Sequence, residues 1–131
     1  MAGVIVLDAS VLIAYLDGED EHHQAAETLL ATAVDDDLGA NPLTLAEVLV
    51  VPVREGRLGP VQAALRDLEV HELPFPANSA VRLGQLRATT GLKMPDCCVL
   101  LAAEGVGGAI ASFDERLANT AEGLNLAVVR R

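Results

Sequence analysis

Val4-Ile5-Val6-Leu7-Asp8-Ala9-Ser10 is the stretch from which the rest of the chain is read. Four consecutive β-branched or aliphatic residues without polar alternation predict a strand buried on both faces, as at the centre of a parallel sheet. Val11-Leu12-Ile13-Ala14-Tyr15-Leu16 follows at once and has room for a short helix. Asp8 is therefore expected where a central strand ends and a helix begins. In open α/β sheets, ligands bind in the crevice at the carboxyl ends of the strands. An acid there serves either to cap a helix or to hold a cation.

Outward from that point the chain alternates between strand and helix patterns. Asp20-Glu21 would supply first-turn acids to a helix from about His22 to Val34, and Asp35-Asp36-Asp37 a solvated loop. Leu38-Gly39-Ala40 reads as a short strand, and Asn41-Pro42 as the cap and first turn of a helix running to about Val53. Pro52 should kink or end that helix. Gly56 and Gly59-Pro60 are expected to bracket a loop before a helix from Val61 to Leu68, and Val70 to Leu73 alternates like an edge strand. A helix from Ala77 to Thr89 is expected to stop at Gly91, and Met94-Pro95-Asp96 to open an apolar, buried helix from Cys97 to about Glu104. Gly105 to Gly108 reads as a loop and Ala109 to Phe113 as the second clear strand. A short helix from Asp114 and a last strand, Leu126 to Val129, complete the pattern. Such alternation predicts right-handed crossovers and a three-layer α/β/α fold around a mainly parallel sheet.

The 131 residues suit one domain with a sizeable core, and 51% hydrophobic content excludes disorder. With only 2% aromatics, that core must be built from Ala, Val and Leu. No apolar run reaches the roughly 18 residues needed to span a bilayer, and the start lacks a basic signal-peptide region. A soluble cytoplasmic protein with no membrane association is expected. Cys97 and Cys98 are adjacent, which argues against a disulfide framework and against a zinc site. A net charge of −10 disfavours indiscriminate nucleic-acid binding. Two divalent cations among its acids would offset part of that charge at one cleft.

Asp8, Glu47, Asp96 and Asp114 are the candidate site residues, and each has an ordinary structural duty to hand. Asp8 or Ser10 suits the N-cap of the helix near Val11, and Asp114 that of the helix after its strand. Thr44-Leu45-Ala46-Glu47 fits a capping box. Asp96 lies in a first helical turn, where a carboxylate complements the helix dipole. As a set they demand more. Asp8 and Asp114 each terminate an apolar strand, Asp96 begins a buried helix, and Glu47 interrupts an apolar run. Parallel strands would bring them to one sheet edge. Two carboxylates about 4 Å apart repel by roughly 4 kcal/mol at an effective dielectric of about 20. Oxygen-only ligands in this number suit Mg²⁺, or Mn²⁺ as a substitute, better than zinc.

In this order the motifs resemble the PIN domain: Val4 to Ile13 around Asp8, Leu43 to Leu49 around Glu47, Met94-Pro95-Asp96, and Ala111 to Leu117 around Asp114. The resemblance spans essentially the whole chain, and its length and start are most similar to VapC toxins of toxin–antitoxin modules. One departure is Cys97-Cys98, where alanine and aliphatic residues are expected; cysteine packs as a small hydrophobe but raises the question of oxidation. The resemblance implies a metal-dependent endoribonuclease. Asp8, Glu47, Asp96 and Asp114 would be the catalytic, metal-holding acids, with Ser10 and Thr44 steadying them from behind. It further implies an RNA substrate, a cognate antitoxin and a homodimer. Lys93 and Arg116 are candidates to meet substrate phosphates, with Arg82 and Arg87 extending that basic face. His22 and His23 read as surface residues. Two alternatives stand beside this reading. A haloacid dehalogenase-type phosphatase would want an acid where Ser10 lies; a catalytically inactive PIN-like module would only bind RNA or protein.

Overall fold

The structure, a computed structural model, describes residues 3–130. The sheet is entirely parallel. Strand β1 (Val4–Leu7) lies between β2 (Asp37–Ala40) and β4 (Ala109–Ala111), with β3 (Val70–Glu72) at the edge beyond β2. Alternate side chains of β1 enter two different cores, as its unbroken apolar run requires. Ile5 and Leu7 pack with helices α1 (Ala9–Leu16), α2 (His23–Thr32), α3 (Pro42–Arg54) and α4 (Leu58–Asp67). Val6 faces α5 (Ser79–Thr90), α6 (Met94–Val106) and α7 (Glu115–Gly123) across the sheet. The expected three layers are present.

Most helix ends follow from local chemistry. Asn41 caps α3 by accepting the Thr44 N–H at 2.9 Å. Gly91 ends α5 and Gly107 ends α6, each in the left-handed conformation that glycine adopts without strain. Gly105 and Val106, expected in a loop, are therefore still helical.

Other expectations need correction. Pro52 lies inside α3, which ends two residues later at Arg54, close to the expected Val53. The missing N–H costs one bond in the last turn. There Glu55 and Arg57 donate to the Val51 and Pro52 carbonyls and close the end. Gly59-Pro60 lies inside α4, because a first-turn proline gives up an N–H that has no helical partner. Asp20 is not a first-turn acid of α2: its carboxylate accepts the His22 N–H at 2.8 Å in the preceding turn, and the first turn carries no acid. The last strand reduces to one parallel bridge between Ile110 and Val128. Its start is held back by α7, since Leu126 N–H donates to the Ala121 carbonyl at 2.9 Å.

The approach of β4 to β1 depends on Gly108. A Cβ there would lie 2.6 Å from the Val4 carbonyl oxygen, which the central strand cannot withdraw. Gly108→Ala is expected to cost about 1–3 kcal/mol, as overpacking against fixed atoms does. Urea denaturation measures it, and an unchanged midpoint would refute this account of the β1–β4 contact.

Candidate active site

The register of β1 and β4 places Leu7 opposite Ala111, so the next residues of both strands meet at the carboxyl edge. Asp8 N–H donates to the Ala111 carbonyl at 3.0 Å. Its carboxylate is buried and fixed by three donors. Oδ1 accepts the Ala9 N–H at 2.8 Å; Oδ2 accepts the Ser10 hydroxyl at 2.9 Å and the Ser112 hydroxyl at 2.7 Å. The two hydroxyls in turn accept backbone N–H groups, Ser10 from Phe113 and Ser112 from Asp114. The end of β4 is thereby tied to the start of α1. Ser10 was foreseen as a steadying group. Ser112 was not, although it follows β4 just as Asp8 follows β1, which was the available signal.

Asp114 is exposed and caps α7, accepting the Arg116 and Leu117 N–H groups. Asp96 is the third residue of α6 and half-buried. Burial, and then the charges of Asp8, Asp114 and Glu47, push its carboxyl from the ordinary 3.8 up to about 6, with Arg116 partly offsetting them. Glu47 is pushed up by desolvation and by Asp8. Asp96 thus feels the other three acids, and Glu47 feels Asp8. Glu47 has no capping duty: Thr44 is the partner of the Asn41 cap, and the expected box from Thr44 to Glu47 does not form. The Thr44 hydroxyl accepts from the Asn41 side chain at 3.0 Å and so secures the first turn of α3, one turn before Glu47. Among the described residues, no three histidine, cysteine or acidic side chains are gathered closely enough to hold a metal ion by themselves.

Of the basic candidates, Arg116 lies beside Asp96 and reaches toward the Gly91 carbonyl at 3.4 Å. Lys93 is exposed at the residue before α6. Arg82 is paired with Glu104, which takes up its charge, and Arg87 donates to the Leu92 carbonyl. Cys97 and Cys98 are buried in α6, and burial pushes both thiols up, which works against thiolate reactivity. The two histidines do more than decorate the surface. His23 Nδ1 donates to the Ala14 carbonyl at 2.7 Å, joining α2 to α1, and the His22 ring stacks on Phe113 with centroids 4.8 Å apart.

A parallel three-layer fold that gathers acids from four separate elements at its strand ends defines an acid-edged α/β domain. The PIN domain model matches residues 5–123, and the chain belongs to that family. No curated protein matches the sequence. Among solved structures, the chain is similar to a toxin–antitoxin complex from Klebsiella pneumoniae, with a TM-score of 0.78, 20% identity and 96% of each chain covered. It is also similar to VapC20 of Mycobacterium tuberculosis, a toxin that cleaves the sarcin–ricin loop (TM-score 0.74, 15% identity, 88% of this chain and 94% of that one). VapBC2 of Rickettsia felis, bound to a DNA fragment from its promoter, gives a TM-score of 0.71 at 14% identity over 96% of this chain and 97% of that one. At these identities the likeness is one of fold.

The position of Asp96 has a consequence for stability. The folded chain keeps a proton on Asp96 that the unfolded chain releases between pH 3.8 and about 6, so this residue's contribution falls as pH rises through that window. Asp96→Asn removes the penalty. In chelator at pH 7.5 the variant is expected to be more stable than the parent, on the order of 1 kcal/mol once screening of this half-exposed group is allowed for. The gap should close as pH falls toward 4. Thermal unfolding at both pH values checks it; a variant less stable than the parent at pH 7.5 would show that the acids do not repel in the folded chain.

Proposed function

We propose that this chain is a metal-dependent endoribonuclease that hydrolyses RNA phosphodiester bonds, the toxin of a toxin–antitoxin pair. The observation that carries the reading is the convergence on Asp96 of Asp8, Glu47 and Asp114, acids contributed by separate elements whose charges push its carboxyl up. The repulsion at Asp96 is a cost to the fold that the individual capping duties do not explain. Membership of the PIN family and the fold likeness to toxins of toxin–antitoxin complexes support it.

The donor set fits Mg²⁺, or Mn²⁺ in its place. All candidate ligands are hard carboxylate oxygens, and Mg²⁺ usually keeps several waters and takes only one or two carboxylates directly. That habit accounts for a cluster too open to enclose an ion by itself. When bound, the ion supplies an activated water and stabilises charge on the leaving oxygen. The chain's own part is positioning. Ser10 and Ser112 fix Asp8 so that its carboxylate does not reorganise when cation or substrate arrives. Asp96 and Asp114, at helix starts, present oxygens on rigid elements. Arg116 and Lys93 stand at the rim, where substrate phosphates would pass. No side-chain nucleophile is required.

For the antitoxin, a cleft of about 370 Å³ opens beside Glu47, lined by Ile13, Val48, Val51, Pro52 and Val61 among others. Its apolar wall and acidic end suit an apolar segment carrying a basic side chain. A homodimer would cover exposed apolar surface such as Val50 and Val53. The competing reading is an inactive PIN-like module, favoured by the lack of a ready-made ligand triad.

Asp8→Asn and Asp96→Asn are each expected to abolish Mg²⁺-dependent cleavage of single-stranded RNA, with the circular-dichroism spectrum of the parent retained. Cutting at the parental rate by either variant would remove these residues from the site. Calorimetric titration of the parent with Mn²⁺ should show binding that weakens in both variants. Silence at millimolar metal would favour the inactive module.

A further inference from the structure

We propose that His22, seated face to face on Phe113, is a shelf on which a nucleobase of single-stranded RNA stacks beside the acids. This rests on the ribonuclease reading above.

Aromatic surface is scarce in this protein: two phenylalanines, one tyrosine and no tryptophan. The stacked pair found among the described residues involves Phe113, between Ser112, which holds Asp8, and Asp114. The His22 and Phe113 rings lie 4.8 Å apart and 22° from parallel, the geometry of an offset stack. The His22 side chain is nevertheless 49% exposed, although Phe113 covers part of it. The Glu21 carboxylate lies 3.5 Å from Nε2.

Beyond its stack on Phe113, the His22 ring has little structural duty. His22 makes no side-chain bond to cap α2, and it is His23 that ties α2 to α1. Phe113 is anchored independently through its N–H on Ser10. What remains is a flat, half-exposed π surface stacked on Phe113, the residue that immediately precedes Asp114 in the chain. Unpaired bases stack on such faces, histidine included, whereas bases within a duplex are already stacked and hidden. Stacking tolerates any base, so the shelf would hold the nucleotide next to the scissile phosphate without reading its identity.

The test uses a short labelled single-stranded RNA of mixed sequence with the full chain in Mg²⁺. His22→Ala should raise KM roughly ten-fold with kcat little changed, and His22→Phe should restore the parental KM. Because the chain lacks tryptophan, His22→Trp combined with Asp96→Asn gives a single reporter on an inactive background. Its fluorescence should be quenched as the RNA binds. If the parent cuts RNA but His22→Ala shows an unchanged KM, or if the bound reporter is not quenched, the shelf is refuted and the nuclease reading stands. If the parent neither binds nor cuts the RNA, the nuclease reading fails and the shelf with it. Should His22→Ala unfold, the tryptophan reporter and His22→Phe decide alone.

Discussion

Asp8 is a polar side chain inside the protein, and the structure around it is arranged to satisfy its oxygens. A buried carboxylate without partners would cost several kcal/mol or take up a proton. Here a backbone N–H and two hydroxyls satisfy it, and both hydroxyls are held in place by N–H groups from the residues after β4. The network exists only if β1 and β4 are parallel and in register. Strand pairing, α1 capping and the placement of Asp114 are consequently one constraint. The close backbone approach at Gly108 secures the far end of the same pair of strands.

Once the strand ends coincide, like charges are forced together, and the fold carries that burden rather than avoiding it. Asp96 occupies the first turn of α6, where the helix dipole favours a carboxylate. Burial and three neighbouring acids nonetheless outweigh the dipole and push the group up to about 6. Arg116 offsets only part of this. Sites that lower stability locally, while the rest of the molecule supports them, are where function is usually found. The apolar sheet on which these acids rest makes the arrangement affordable.

Much of this was legible in the sequence, for identifiable reasons. The apolar run of β1 required burial on both faces, Asn41-Pro42 specified a helix start, and Gly91 a helix stop; each rests on local chemistry that context seldom overrides. The failures share a cause as well. Pro52 and Pro60 look like breakers, but Pro60 falls in a first turn where its N–H has no helical partner, and Pro52 gives up one bond to the turn before it while α3 runs only two residues further. Val128 has strand-like neighbours, yet its pairing is limited by how α7 holds Leu126. Ser112 and the His22–Phe113 stack escaped notice because each depends on a contact made across the sheet edge or between elements far apart in sequence.

Glu47 separates structural duty from function most cleanly. Asp8 and Asp114 cap helices, and Asp96 complements a helix dipole, so a purely structural account could retain all three. A cap also fixes the geometry of the carboxylate that makes it, so the two roles do not compete. Glu47 makes no cap, since the Asn41 cap takes Thr44 as its partner and leaves Glu47 exposed in the body of α3. There its charge is disfavoured by desolvation and by Asp8. An alanine at that position would suit the helix better and remove the repulsion. An exposed position in α3 tolerates a glutamate, so what sets Glu47 apart is its nearness to Asp8, which the cation proposed above would turn to use.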